Sequence, residues 1–314
     1  MGAKNFSEQL LLGEIMAQQI ERRLGEKVTR KFNLGGTILA HEALLHGEID
    51  LYPEYTGTAL SAILKQPTSP DAAATLAKVR AAYRQWGLEW LQPLGFENTF
   101  ALAVRREDAE REHISTLSEA RRRSWILGAG YEFATRPDGL AGFQAVYHIP
   151  LTGAPLTMDL GLLYRALENR QIDMAAANST DGQLVSGKFR VLEDDRHFFP
   201  AYEAAFVVRS AVLNAQRRRA MEELSGKLTA ERIRQLNFQV VVSHTPIEDV
   251  ARDFLATLVT NSGGPRPLPG ASRTTVAAQC KSVSALNRAR QQADRQTLYA
   301  HFRKLALAAG AIGR

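Results

Sequence analysis

Two histidines stand in HEALLH at 41–46, a segment that would hold zinc if both faced the same side of a helix. Their spacing of five turns them about 140° apart, where a spacing of four would align them. His41 is therefore expected to pack or cap, and no metal site is expected. A hydrolase nucleophile is also missing: no serine sits in a G-x-S-x-G frame, and Cys280 has no evident partner. The acids of EDD at 193–195 read as solvated surface. Gly35 and Gly36 before Thr37 offer backbone N–H groups to an anion. Without a Walker sequence, or a G-x-G-x-x-G after a strand, they do not point to a nucleotide enzyme. No catalytic residue and no cofactor is expected.

The remaining chemistry lies in IDLYPEYTGTAL at 49–60. Tyr52 and Tyr55 flank a proline and a glutamate, and Thr56 and Thr58 follow at once. Phe100 begins another strand-like run, FALAV. An aromatic at a strand end is ordinarily core, but rings beside hydroxyl donors suit a small zwitterion. A ring face attracts a cation, while hydroxyls, amides and helix N-termini receive a carboxylate.

The elements that must position these residues follow from periodicity. Residues 7–24 read as an amphipathic helix with Leu10, Ile15, Ile20 and Leu24 near one face and Ser7 as cap. KVTRKFNL alternates like a strand, and a second helix opens at or near Thr37. IDLYPEY is a strand, and residues 70–87 are helical with Asp71 near the start. FALAVRRE and AAFVVRS are strands, and between them SWILGAG, MDLGLLYRALENRQ and IDMAAAN give strand, helix, strand. Helical patterns follow around 213–225, 229–237 and 246–258. Alternating strands and helices predict an α/β fold with mostly parallel sheets. ALLHGEID and ALENRQID are parallel units, each ending in a strand and a polar turn. Their two loops, YPEYTGT and AAANSTDG, are expected at strand C-terminal ends, facing each other across a cleft.

Length and charge set the outer bounds. The chain has 314 residues, enough for about two domains, and 45% of them are apolar. Its one cysteine excludes an intrachain disulfide and a thiolate cluster. No apolar run approaches the ~20 residues of a membrane span, and no charged-then-apolar leader opens the chain. The net charge of +6 is unevenly spread. From Thr260 onward there are nine Lys or Arg against one acid, leaving 30 basic and 32 acidic groups before it. A nearly neutral body does not suit a nucleic-acid reader. Residues 261–273, rich in Gly and Pro, read as a linker, and 283–308 as a basic helix.

Several segments together resemble one family. KNFSEQLLLGEIMAQQIE, GGTILAHEALLHGEIDLYPEYTGTAL, NTFALAVRRED, RPDGLAGFQAVY, MDLGLLYRALENRQIDMAAANSTDGQL and LEDDRHFFPAYEAAFVVR are similar to the substrate-binding proteins of osmoprotectant ABC importers. These bind glycine betaine, choline and carnitine. The resemblance runs from about Lys4 to Leu258. It implies a two-lobed periplasmic-binding-protein fold of type II with a two-strand hinge near ALAVRR and AFVVRS, plus a C-terminal basic extension. Lobe 1 would comprise 1–103 with 206–259, lobe 2 would comprise 104–205, and 260–314 would lie outside. Its partners would be a small zwitterion and a membrane permease, with no nucleic acid. It would work in the periplasm or on the extracytoplasmic face, its export signal lying upstream of this chain.

Carried over residue by residue, the resemblance gives Gln9 and Thr58 to the ligand's carboxylate or hydroxyl end. Tyr55 and Phe100 become walls of an aromatic cage, with Phe100 where relatives often have Tyr. Asn178 stands where cage-forming members carry an aromatic ring, so one wall worth ~0.5–2 kcal/mol is replaced by a donor and an acceptor. That departure points to a more polar cationic or amino-acid-derived ligand. Thr180 joins from the second lobe, Asp181 binds ligand or holds the STDG turn, and Thr37 caps its helix or donates to ligand. A ligand-sensing regulator on the same bilobed fold is the alternative. It would need a DNA-reading helix-turn-helix, which one basic helix behind a linker does not supply.

Overall fold

The structure, a computed structural model, describes residues 1–69 and 71–260. The expected linker at 261–273 and basic helix at 283–308 lie outside the described residues. The first half runs α1 (Ser7–Leu24), α2 (Thr37–Leu45), β1 (Leu51–Tyr55), the single turn α3 (Thr56–Thr58), α4 (Ala72–Arg84) and β2 (Leu88–Trp90). Next come β3 (Phe100–Arg105), α5 (Arg106–Glu112), β4 (Leu127–Ala129), α6 (Tyr131–Thr135), α7 (Gly142–Tyr147), β5 (Leu156–Thr157), α8 (Leu160–Glu168), β6 (Met174–Asn178) and β7 (Phe189–Val191). The chain then returns through β8 (Ala204–Arg209) to α9 (Ala215–Glu222), α10 (Ala230–Val241) and α11 (Ile247–Thr260).

Two sheets result, ordered β1-β8-β2 and β5-β4-β6-β3-β7. The chain passes from the first sheet to the second between Trp90 and Phe100 and comes back between Val191 and Ala204. Each crossing strand enters its sheet against the local direction. β8 therefore pairs antiparallel with β1 and β2, and β3 pairs antiparallel with β6 and β7. Among the described strands, the parallel pairings are those of β4, with β5 and β6. The expectation of mostly parallel sheets thus fails: a crossing strand arrives from the opposite end, which a count of α/β alternation does not reveal.

Strand alternation divides the cores. On β8, Ala204, Phe206 and Val208 face a cluster with α1, α9, α10 and α11, while Ala205 and Val207 face α2 and α4. On β3 and β6, Leu102, Val104, Met174 and Ala176 face one side, and Ala103, Ala175 and Ala177 the other. Strands covered on both faces read as continuous apolar runs, as these do.

Local chemistry explains most element ends. Asp71 caps α4, its side chain accepting from the Ala74 N–H at 3.0 Å. α1 closes on Gly25 in the left-handed region, φ 67°. Ser7 is the first residue of α1, not its cap: that position falls on Phe6, whose carbonyl accepts from Gln9 and Leu10. KVTRKFNL, expected as a strand, forms only the isolated bridge between Gly2 and Lys31. His41 is buried against the rings of Tyr83 and Trp86, each 5.3 Å away between centroids. No group of metal ligands occurs among the described residues, and none of their helices is long and apolar enough to cross a membrane.

Candidate ligand-binding cleft

A cleft of about 840 Å³ opens between the two sheets. β1 ends in it with Tyr55, and the turn after it adds Thr58. β6 ends in it with Asn178, followed by Asp181. Phe100 pairs directly opposite Asn178 on β3, so the ladder register brings both to the same rim. The YPEYTGT and AAANSTDG loops thus line one cavity, as expected from their position after paired strands.

Lys4 supplies the first buried cation. Its Nζ donates to Glu54 Oε1 at 2.5 Å and to Thr37 Oγ1 at 3.0 Å, and it lies 5.3 Å from the centre of the Tyr55 ring. Arg136 is the second. Its guanidinium donates to both oxygens of Asp138, to Glu132, to Ser61 Oγ at 3.1 Å and to Thr58 Oγ1 at 3.3 Å. It also lies 5.0 Å from the Phe100 ring centre and 5.9 Å from that of Tyr202. Burial opposes its charge, but the Asp138 hydrogen bond and the carboxylates of Asp138 and Glu132 raise its pKa. The aromatic faces of the cleft therefore lie beside the chain's own cations.

Glu132 reaches from α6 to the start of α2, where its Oε1 accepts from the Thr37 N–H at 2.7 Å. Gly36 permits this approach, since a Cβ there would stand 2.9 Å from that oxygen. Burial pushes the Glu132 pKa up, but Lys4, Arg136 and the Thr37 N–H together outweigh it and hold it at about 2. The GGT turn does receive an anion, and the anion is a side chain from the other half of the molecule.

Glu8 is a different kind of carboxylate. It is buried and lines the cleft, and no described cation lies within 4.0 Å. Four neutral donors satisfy it: Tyr55 Oη at 2.6 Å, Thr180 Oγ1 at 2.6 Å, and the Nδ2 atoms of Asn98 and Asn237 at 2.8 Å each. Asp181 is similar, accepting from Tyr164 Oη at 3.0 Å and the Asn178 N–H at 2.9 Å. Burial and the charge of Glu8 raise its pKa to about 6, against the pull of those two donors.

Of the residues singled out from sequence, Tyr55, Thr58, Phe100, Asn178 and Asp181 line the cleft. Gln9, Thr37 and Thr180 are buried behind its wall. The Gln9 side-chain oxygen accepts from the Lys4 N–H at 3.4 Å, Thr37 joins Lys4 to Glu132, and Thr180 joins Glu8. Sequence reasoning missed Lys4, Glu8, Asn98, Glu132, Arg136, Tyr202 and Asn237. Arg136 lies in the recognised RPDG segment and Glu8 beside Gln9. Asn98 opens the recognised NTFALAVRRED segment, and for Asn237 the chain carries no local signal.

Comparison with known proteins bears on this cleft. Residues 1–257 match the family described as the substrate binding domain of ABC-type glycine betaine transport systems. A glycine-betaine-binding protein of Pseudomonas aeruginosa is 36% identical over 269 residues, covering 81% of this chain and 86% of the relative. The ergothioneine transport permease/ergothioneine binding protein of Helicobacter pylori is 34% identical over 263 residues, covering 82% of this chain. The chain spans about half of that longer relative, 47%. The crystal structure of a glycine betaine/carnitine/choline ABC transporter protein superposes with a TM-score of 0.69 at 28% identity, covering 82% of this chain and 97% of the other.

Proposed function

The chain belongs to the family of substrate-binding domains of ABC-type glycine betaine transport systems, and from that premise we propose how its cleft captures a betaine-like zwitterion. The observation that carries this reading is the composition of a single cavity. Buried cations, uncompensated carboxylates and aromatic rings converge on it from both halves. Lys4, Arg136 and Thr58 receive the ligand's carboxylate, with the Thr37 N–H available once Glu132 withdraws. Tyr55, Phe100 and Tyr202 face the cationic end, in the negative field of Glu8 and Asp181. Gln9, Thr37 and Thr180 act through these residues. Asn178 offers a polar contact, where the sequence resemblance leads one to expect a ring.

The crossings at 91–99 and 192–203 are the hinge in this reading. The lobe division expected from sequence, 1–103 with 206–259 against 104–205, then shifts so that β3 travels with the second sheet. Bonds between the halves, such as Arg136 to Thr58 and Thr180 to Glu8, favour the closed state, and ligand shifts the population toward it. The protein would act on the extracytoplasmic side and hand its ligand to a permease, without catalysis and without nucleic acid. Glycine betaine, carnitine, choline and ergothioneine are the ligands to try first. Thermal-shift screening of the full chain tests the reading: at least one zwitterion raises the midpoint in a saturable way, and a flat response to all of them would refute it.

A further inference from the structure

The donors of Arg136 are all engaged within the chain. A guanidinium carries five N–H bonds. Two of them serve Asp138, and a third serves Ser61 Oγ. The remaining two belong to one nitrogen, Nη1, which is shared between Thr58 Oγ1 at 3.3 Å and Glu132 Oε2 at 3.1 Å. Lys4 gives two of its three N–H bonds to Glu54 and Thr37, and Glu54 matches its charge. Lys4 and Arg136 bring two positive charges to this end of the cleft. The carboxylates paired with them, Glu54, Asp138 and Glu132, bring three negative ones.

A ligand carboxylate received by Arg136 and Thr58 enters that cluster as a fourth anion. It has two ways to reach Arg136 Nη1. Replacing Thr58 sets it one shared nitrogen away from Glu132, like charge beside like charge. Replacing Glu132 sends that side chain back to water and breaks its bond to the Thr37 N–H. Burial holds Glu54 and Asp138 in place, their side chains being 0% and 3% exposed. The Glu132 side chain is 33% exposed and lines the cleft, so it is the acceptor able to yield. Either route costs a carboxylate something that a ligand without one never meets. A bare cation meets the reverse, because Glu132 adds to the negative field of Glu8 and Asp181.

We propose that Glu132 is a specificity-determining residue of the cleft, a tethered carboxylate that opposes the ligand's own and sets how far zwitterions are favoured over cations without a carboxylate. This deepens the betaine-like assignment and rests on it. The bond from Glu132 on α6 to Thr37 on α2 also ties the two halves together. That contribution is common to every ligand and does not discriminate among them.

Calorimetry on the full chain at pH 8 with two matched pairs tests the inference. Glycine betaine is compared with choline, and ergothioneine with its methyl ester. Both members of each pair carry a quaternary ammonium, and only the first carries a carboxylate. Glu132 and Asp181 are both ionised at this pH. Glu132→Gln should raise the affinity ratio of zwitterion to cation by about tenfold or more, and Glu132→Ala should do the same. Altered folding or closure acts on both members of a pair alike and cancels in that ratio. A ratio that stays within about threefold of the parent in both variants, or one that falls, would mean that Glu132 only clasps the halves. Either result would overturn the inference while leaving the assignment of the cleft intact. Failure of all four probes to bind the parent and both variants would overturn the two together.

Discussion

Arg136 and Glu8 show two ways of keeping a charge buried. Arg136 is paired with Asp138 and shares Glu132, so removing it strands two carboxylates. Arg136→Ala is expected to weaken zwitterion binding by about a hundredfold, in line with the 2–5 kcal/mol of a truncated buried charge pair, measured by calorimetry. Asp181 gives the site a pH dependence. Its pKa is raised to about 6, so the folded state holds a proton that the unfolded chain releases near 4. The contribution is fully present below pH 4 and is lost as pH rises through 6, by roughly 3 kcal/mol. Glu132 runs the other way: held at about 2, it stabilises above its ordinary range and fails as pH falls toward 2. Asp181→Asn should therefore flatten the stability profile between pH 4 and 6 in chemical denaturation. In the parent, affinity for a cationic ligand should rise across the same interval as Asp181 ionises. Retention of the full pH slope in the variant would assign it elsewhere. At this scale the sequence located rings that line the cleft, and Asp181, and missed Lys4, Glu8, Glu132 and Arg136. Tyr55, Phe100 and Asn178 sit at strand ends that periodicity locates. Glu132 and Arg136 reach their partners Thr37 and Thr58 only through the crossing of the chain between sheets.

At the level of elements, legibility followed how local the determinant was. α1 spans Ser7–Leu24, the range its amphipathic period marks, and the Asp71 cap of α4 was visible beside its proline. The direction of β3 and β8 was not, because sheet pairing depends on where a strand arrives and not on its composition. Asp71→Ala is expected to cost about 1 kcal/mol through loss of the cap, read as a small fall in the unfolding midpoint. Phe206, on the crossing strand β8, is 1% exposed and packs among α1, α9 and α10. Phe206→Ala should cost about 3–5 kcal/mol. A loss below 1 kcal/mol would mean that β8 is not the spine of the first sheet.

For the whole molecule, the central point of the proposed reading is that neither half holds a complete site. The first contributes Lys4, Glu8, Tyr55 and Thr58, and the second contributes Phe100, Glu132, Arg136, Asn178 and Asp181. The bonds cited between them each involve a side chain and lie outside both sheets, so in the proposed reading the halves would separate without breaking either sheet. Capture is then a matter of which arrangement the ligand favours, and its affinity depends on contacts drawn from both sides. The most direct measurement is isothermal titration of the full chain with glycine betaine, carnitine, choline, ergothioneine and histidine betaine, repeated on Tyr55→Ala and Arg136→Ala. One-site binding of at least one zwitterion at about 10 μM or tighter, weakened at least about tenfold by each substitution, is the expected result. Binding that neither substitution disturbs, or no binding by any of the five, would contradict the account.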